Sequence, residues 1–373
     1  MNVGIDLINF YIPKYYLNMN ELAKLRGIDE NKYSKGIGQN KMSIISPLED
    51  IVTMAAEASY DIVKENKKYI DTILFATESS IDFSKAAGNY LHKILGLSPS
   101  VRILEFKQAC YAATGALQLA ADYVRSNPNK KVLVVSSDVA WYGFENAGES
   151  TQGAGAIAML VSKDPKIAIV NKGKFVTDEI SDFYRPSYQE VPTVDGKLSI
   201  KSYIKMLKLL DPQKKYIFTC FHMPFAKMAD KANATLKYPI SDEHLRIAKY
   251  FTSEVGNIYN GSLFLSLISV LTLSKIDLSN QSIGMFSYGS GAIGEFFSLK
   301  LSNQYEKYID KEQFLRKLKD RIELTSEEYI DFMKNYQIKE TTHKLINYNK
   351  PLEVNRFIID SIKSGQRTYK KIA

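Results

Sequence analysis

Cysteine is scarce in this chain, which has two, Cys110 and Cys220, in 373 residues. Two thiols cannot form the disulfide framework of a small secreted domain, and neither lies in a cluster with the spacing of metal ligands. Long apolar runs are also missing: the most hydrophobic segment, 263–273, contains serine and threonine and is shorter than the roughly 20 residues that span a bilayer. These absences predict a cytoplasmic protein with no membrane partner, in which segment 263–273 is a buried helix.

The chain also lacks a secretory signal and a strong excess of one charge. Its first ten residues contain no basic side chain and carry Asp6 within an apolar run, which predicts a first strand. The net charge is +8, but the lysines are interleaved with acids and show no helix-turn-helix, zinc-finger or RNP-like pattern. We therefore expect no nucleic-acid partner. A mildly basic surface suits a ligand with several phosphates or a merely lysine-rich surface, and composition leaves both open.

A lone cysteine among small residues is the most informative local feature. Cys110 lies where a strand-like run becomes an amphipathic helix, within segment 106–120 (FKQACYAATGALQLA). Backbone N–H groups and the positive dipole end at a helix start stabilise a thiolate, and the small residues after Cys110 leave room for an acyl group. We predict that Cys110 is a nucleophile, although a cysteine in an apolar helix is often only a small core residue.

The chain repeats its pattern at an offset of about 140 residues. The pairs keep their order along the chain: 72–95 with 216–232, 110–138 with 256–289, and 153–161 with 289–297. Strands alternate with helices in both copies, which predicts an α/β protein with two sheets enclosing helices. We divide the chain into an N-terminal half (1–163), a C-terminal half (164–301) and a helical appendage (302–373) that begins a helix at the capping box 325–328 (TSEE).

Chemically useful side chains fall at corresponding strand ends and helix starts of the two halves. Glu78 and His222 end equivalent strands, and Cys110 and Asn257 begin equivalent helices. Ligand sites of α/β folds form at the carboxyl ends of strands, so we expect these residues and the Gly-Ser-Gly segment 289–291 to meet in one cleft.

Eight short segments, taken in order, resemble one family. They are 36–39 (GIGQ), 77–82 (TESSID), 107–111 (KQACY), 151–155 (TQGAG), 182–186 (DFYRP), 194–196 (VDG), 255–257 (VGN) and 286–291 (FSYGSG). Together they resemble hydroxymethylglutaryl-CoA synthases of the bacterial mevalonate-pathway type, within the thiolase-like condensing enzymes. The resemblance runs nearly end to end and implies a thiolase-like fold, with two duplicated α/β halves in a layered αβαβα sandwich, and a homodimer.

The resemblance also implies roles for the marked residues. Cys110 matches the nucleophile that takes up an acetyl group, Glu78 the general acid/base, and His222 the group that hydrogen-bonds the acetoacetyl substrate. To act as a general acid/base, Glu78 needs a raised pKa, which desolvation at the end of an apolar strand can supply. Asn257 matches an amide that positions the acyl group, and the backbone N–H groups of Cys110 and Ser290 match an oxyanion hole.

Further residues match the binding sites for coenzyme A. Lys227 and Lys231 correspond to lysines near the CoA phosphates, although a solvated helix face explains them equally well. Positions that match the pantetheine tunnel and acyl pocket are Tyr142, Asn146, Thr151, Asp182 and Tyr184. The implied substrates are acetyl-CoA and acetoacetyl-CoA, with no metal or organic cofactor. Other histidines (His92, His244, His343) are predicted to be structural, and Cys220 a buried strand thiol.

Two departures and three alternatives remain open. Ala112 stands beside the nucleophile where the family commonly has glycine, and Phe83 where a charged residue is common. The related synthase that acts on a polyketide carrier protein would have nearly the same site. A ketoacyl-carrier-protein synthase would not need Glu78, and a non-catalytic scaffold of this fold would not need to keep Cys110, Glu78 and His222.

Overall fold

The computed structural model describes residues 1–336 and 355–372. Its strands are β1 (Val3–Tyr11), β2 (Tyr15–Asn18), β3 (Lys41–Ile44), β4 (Ile70–Ala76), β5 (Arg102–Phe106), β6 (Lys131–Ala140), β7 (Gly153–Lys163), β8 (Ala168–Thr177), β9 (Phe183–Tyr184), β10 (Thr193–Val194), β11 (Thr219–Phe221), β12 (Ser282–Gly289), β13 (Ile293–Leu301), β14 (Ile322–Glu323), β15 (Phe357–Lys363) and β16 (Gln366–Lys371). Its α-helices are α1 (Met19–Leu25), α2 (Asn31–Gly36), α3 (Ile51–Asn66), α4 (Ala87–Ile94), α5 (Ala112–Ser126), α6 (Gly196–Leu210), α7 (Met228–Asn233), α8 (Asp242–Val255), α9 (Ser262–Leu273), α10 (Lys311–Lys319) and α11 (Ser326–Tyr336).

The main sheet consists of two equivalent parts. Its strand order is β11-β12-β13-β8-β1-β7-β6-β4-β5, and β8 and β1 share only the residue pairs Gly4 with Ile169 and Ile5 with Ala168. On one side of this weak junction, β4 pairs parallel with β6, and β6 and β1 pair antiparallel with β7. On the other side, β11, β12, β13 and β8 repeat this arrangement. The repeated pairing confirms the predicted duplication of an α/β unit.

Side chains alternate between the two faces of each strand, so each face of the sheet is covered by its own layer of helices. Val134 and Met159 from the first part of the sheet, and Met285 and Leu299 from the second, share one core with α5 and α9. The opposite face of the first part packs against α3 and α4, and that of the second packs against α6 and α7. The result is the predicted αβαβα sandwich. Segment 263–273 is the buried central helix α9, as predicted.

The segment after β13 differs from its prediction. The capping box is present, since Thr325 N donates to Glu328 Oε2 at 3.0 Å and Glu328 N to Thr325 Oγ1 at 3.3 Å. However, α10 and α11 are followed by a β-hairpin of β15 and β16, so the expectation of an entirely helical appendage is wrong. The hairpin turns at Ser364-Gly365, where both φ angles are positive, a turn signal that the sequence contains. The domain boundaries stay a prediction.

The hairpin is fastened to the start of α3. Asp50 caps this helix through Val52 N and accepts further hydrogen bonds from Tyr369 Oη at 2.7 Å and Arg367 Nη1 at 3.1 Å.

Among the described residues, no helix has the length and apolar character needed to cross a membrane.

Candidate active site

The turn that carries Cys110 joins the edge strand β5 to the central helix α5. Ala109, just before the cysteine, has a φ angle of 43°, so the chain bends sharply there. The end of β12 packs directly on this turn, because a Cβ atom built on Gly289 would lie 2.7 Å from Gln108 O and 2.8 Å from Tyr111 N. Only glycine permits this approach, which brings Ser290 to the nucleophile turn.

Glu78 lies beside Cys110 because their strands are parallel neighbours. β4 and β5 pair through Ala76 and Phe106, so the residues that follow them emerge at the same edge of the sheet. The Cys110 thiol and the Glu78 carboxyl group are close enough for each to shift the pKa of the other, and among the described residues the buried Glu78 Oε1 atom has no hydrogen-bond partner. Burial, with a smaller contribution from the charge of Asp138, raises the pKa of Glu78 to about 8. Desolvation thus acts in the direction that the sequence predicts.

The Cys110 thiol differs from its expected state. Burial is the main cause that raises its pKa well above the usual value, and the Glu78 carboxylate adds to the rise. The prediction of a thiolate stabilised by the helix start is therefore wrong for the free protein. A helix start favours a thiolate, but burial and the neighbouring Glu78 carboxylate outweigh it.

Asp138 connects the Glu78 segment with the Cys110 helix. Its Oδ1 atom accepts hydrogen bonds from Glu78 N at 2.7 Å and Thr77 Oγ1 at 2.9 Å. Its Oδ2 atom accepts from Asn260 Nδ2 at 3.1 Å, and Asn260 Oδ1 in turn accepts from Ala113 N at 3.1 Å. Burial raises the pKa of Asp138 to about 6. Sequence reasoning missed this residue, although an acid near the end of an apolar strand is the signal that pointed to Glu78.

His222 is buried and neutral at the end of β11. Its backbone N–H donates to Phe286 O at 2.8 Å, which fixes it beside β12, and Tyr203 Oη donates to its carbonyl at 2.9 Å. Burial lowers the pKa of the imidazole to about 3. Within residues 1–336 and 355–372 its buried Nδ1 atom has no hydrogen-bond partner. A neutral ring suits a hydrogen-bonding role toward a substrate oxygen or thiol.

The Asn257 amide is held in one orientation. Its Oδ1 atom accepts from Tyr259 N and Ser262 Oγ, both at 2.9 Å, so its Nδ2 atom is left to donate to Tyr142 Oη at 3.1 Å. The rings of Tyr142, Tyr259 and Phe183 meet edge to face with centroids 6.0 to 6.3 Å apart. Tyr142 and Tyr259 both lie close enough to Cys110 that a thiolate there would raise the pKa of their phenols. The sequence reasoning named Tyr142 but missed Tyr259.

Three other predicted pocket residues form hydrogen bonds that fix the loops in which they lie. Asp182 is fully buried and accepts from Gly291 N at 2.9 Å, Tyr288 Oη at 2.8 Å and Ser199 Oγ at 2.7 Å. Asn146 Nδ2 donates to Tyr142 O at 2.7 Å, and Thr151 Oγ1 donates to Gly148 O at 2.8 Å. The fourth, Tyr184, is 46% exposed on β9.

The predicted phosphate-binding lysines lie on α7, which follows His222. Lys227 precedes the helix and Lys231 is in its last turn, and both are exposed. The backbone N–H of Lys227 donates to Ile37 O at 3.0 Å, which joins α7 to the end of α2. Their contact with CoA phosphates stays a prediction.

The remaining cysteine and histidines fit structural roles. Cys220 is a buried strand thiol, as predicted, and burial raises its pKa to about 12. His92 Nε2 lies 2.8 Å from Ser98 O, and His244 Nδ1 lies 2.9 Å from Ile217 O. Both rings are partly exposed, and His343 lies outside the described residues.

Comparison with known proteins agrees with this geometry. Family models for the N-terminal and C-terminal parts of hydroxymethylglutaryl-coenzyme A synthase match residues 1–166 and 239–366. A hydroxymethylglutaryl-CoA synthase of Enterococcus faecalis is 44% identical over 350 residues, which cover 88% of this chain and 91% of that protein. The chain belongs to the hydroxymethylglutaryl-CoA synthase family.

Solved structures and a polyketide relative define its position within the family. An HMG-CoA synthase crystallised with CoA superimposes with a TM-score of 0.91 at 38% identity and covers 100% of both chains. The polyketide biosynthesis 3-hydroxy-3-methylglutaryl-ACP synthase PksG of Bacillus subtilis is 29% identical and covers 88% of this chain and 87% of its own length. The polyketide enzyme is thus the more distant relative.

Proposed function

We propose that the protein condenses acetyl-CoA with acetoacetyl-CoA and water to give 3-hydroxy-3-methylglutaryl-CoA and CoA, in the mevalonate route to isoprenoids. The observation that carries this proposal is that parallel strands β4 and β5 bring Glu78, whose pKa burial raises to about 8, to the same edge of the sheet as the Cys110 thiol. A nucleophile and a base of moderate strength beside each other are what an acylation followed by removal of a proton requires.

The reaction divides into three steps. The Cys110 sulfur attacks the thioester carbonyl of acetyl-CoA, and CoA leaves with the thiol proton. The Glu78 carboxylate then removes a proton from the methyl group of the acetyl-cysteine, and this carbon adds to the ketone of acetoacetyl-CoA, whose oxygen takes up a proton. Finally, water hydrolyses the thioester bond to Cys110 and leaves the CoA thioester intact, which releases the product and restores the Cys110 thiol.

The surrounding residues supply hydrogen bonds for these steps. The backbone N–H groups of Cys110 and Ser290 stabilise the negative oxygen of the tetrahedral states. The neutral His222 ring hydrogen-bonds the ketone of the second substrate, and Asn257, fixed by Tyr142, positions the acetyl group. Because acylation, removal of the methyl proton and binding of the ketone each have a side chain or backbone group to perform them, we expect no metal or organic cofactor.

The outer part of the site binds the coenzyme. Lys227 and Lys231 attract its phosphates as exposed cations on α7. The loops fixed by Asn146, Thr151 and Asp182 form the tunnel for the pantetheine arm, with Tyr184 at its surface. We expect the enzyme to act in the cytoplasm, where its CoA thioester substrates occur and its two thiols stay reduced.

The test is release of free CoA thiol by the purified protein from acetyl-CoA, with and without acetoacetyl-CoA. Wild type should turn over only with both substrates, Cys110→Ala should not become acetylated, and Glu78→Gln should become acetylated without condensing. Cys220→Ala, which removes the other thiol, is the matched control and should behave as wild type. Condensation only with an acetoacetyl carrier protein would assign the polyketide reaction, and no acetylation of wild type would refute the proposal.

A homodimer is the second part of the proposal. β5 is the last strand of the sheet, and within the part of the chain that the structure describes it pairs on one side only, with β4. Leu104 on this strand is 49% exposed, and Phe83 in the neighbouring loop is 91% exposed. An apolar edge strand is rarely left uncovered, so we expect β5 to pair with its copy in a second subunit. Light scattering should give a dimer for wild type and for Leu209→Glu, an exposed position on α6, and a monomer for Leu104→Glu.

A further inference from the structure

The peptide groups on both sides of Glu78 are held by charged side chains from different parts of the sheet. Its N–H donates to Asp138 Oδ1 at 2.7 Å, from β6 in the first part. Its carbonyl accepts a hydrogen bond from Arg185 Nη2 at 2.5 Å, from the segment that follows β8 in the second part. The backbone of Glu78, which carries the carboxylate, therefore cannot rotate without breaking one of these two hydrogen bonds.

The segment that carries Arg185 is itself anchored. Asp182, three residues earlier, is tied to Gly291 beside the end of β12 and to Ser199 on α6. Thr193 and Val194 pair with Tyr184 and Phe183, so the segment is also closed into a small hairpin. A guanidinium placed by such a segment can hold a fixed distance to its partner, although the side chain reaches into an exposed region.

The charge of Arg185 also opposes the negative charges around Glu78. From β6, Asp138 raises the pKa of Glu78, and Asp182 from the β9 segment does so more weakly, whereas Arg185 lowers it. The Cys110 thiol also lowers it. Among the described residues, the phenols of Tyr142 and Tyr259 also face Glu78, and the phenol of Tyr288 faces Cys110 and Asp182. Tyr336 at the end of α11 lies close enough to Arg185 for the guanidinium charge to lower the pKa of its phenol.

We propose that Arg185 is a positioning residue for the Glu78 base: from the opposite half of the fold, it fixes the Glu78 peptide by donating a hydrogen bond to the Glu78 carbonyl. This inference rests on the proposed function for its kinetic consequence. Nucleophilic attack by Cys110 does not need the Glu78 carboxylate to remove a carbon-bound proton, so Arg185 affects the condensation step and leaves the extent of acetylation unchanged.

Two variants separate the charge of Arg185 from its hydrogen bond. Arg185→Gln keeps an N–H donor and loses the charge, and Arg185→Lys keeps the charge. The measurement is kcat/KM for condensation from pH 6 to 10. In Arg185→Gln the acid limb should move to higher pH, with roughly tenfold slower condensation below it for each unit of displacement and a plateau close to that of wild type. Arg185→Lys should restore most of the wild-type profile.

A second readout does not depend on turnover. The rate at which iodoacetamide alkylates Cys110 should show an inflection from Glu78, which Glu78→Gln abolishes and Arg185→Gln moves upward. Arg246→Gln, at an exposed arginine on α8, is the matched control. Profiles of Arg185→Gln that coincide with wild type in both assays, or a fall that is equal at every pH and is not rescued by lysine, would overturn the inference. If wild type alkylates normally but does not condense, the proposed function fails while the alkylation shift still decides the role of Arg185.

Discussion

Replacement of Glu78 by glutamine should stabilise the protein, and the gain should grow with pH. The carboxylate has a pKa of about 8 in the folded chain against an ordinary value of 4.5. A raised pKa in an acid means that its contribution to stability is complete below pH 4.5 and is lost as the pH rises through 8. At about 1.4 kcal/mol per pH unit, wild type loses about 3 kcal/mol by pH 7 and about 5 kcal/mol by pH 8 and above. Glutamine has the same shape and does not titrate.

The assay is urea unfolding of wild type and Glu78→Gln at pH 5, 7 and 9, at one protein concentration. The variant should gain about 4 kcal/mol over wild type between pH 5 and pH 9, whatever its offset at pH 5. Glu65→Gln, at an exposed position near the end of α3, is the matched control and should follow wild type at every pH. A stability difference between Glu78→Gln and wild type that stays constant from pH 5 to 9 would refute the argument that burial holds this carboxylate protonated.

Two further predictions concern the network around the site and the hairpin. Asn260→Asp places a second carboxylate against Asp138 in a buried position, so we expect unfolding free energy to fall by about 3 kcal/mol or more, measured by urea denaturation; a smaller loss than in Asn260→Ala would contradict this. Tyr369→Phe removes the 2.7 Å hydrogen bond to Asp50, worth about 1 kcal/mol, so amide exchange in β15 and β16 should become several-fold faster while α5 is unchanged. Equal acceleration in both regions would show that the hairpin does not open by itself.

Much of the fold is visible in the sequence because the duplicated pattern fixes both the strands and their order. Residues 263–272 are buried on all sides of the helix, and the sequence indicates this because apolar side chains occur on every face of the segment. The hairpin of β15 and β16 was missed because its strands mix lysines with apolar residues and depend on Asp50, more than 300 residues earlier, for a partner. Such a long-range contact leaves no local periodicity.

The residues of the site were likewise predictable from the sequence only where they carry a local signature. Cys110 and Glu78 carry local signatures, a small-residue helix start and an acid at a strand end. Asp138, Asn260 and Arg185 act through backbone groups of residues far away in the chain, and no spacing reveals such contacts. The protonation state of Cys110 was predicted with the wrong sign, because the helix start is local whereas the burial and the neighbouring carboxylate come from the assembled fold.

The central layer has a consequence for how the chain is made. Helix α5 packs on β4, β6 and β7 of the first part of the sheet and helix α9 on β11 and β12 of the second, and both helices belong to one core, so the side of this core that the second part supplies is missing until α9 has been synthesised. At typical rates of synthesis of about 5 to 20 residues per second, the interval between the ends of these helices lasts roughly 7 to 30 seconds. During that time the first part of this core lacks its apolar partners, and exposed apolar surface on an incomplete chain favours aggregation and binding by chaperones.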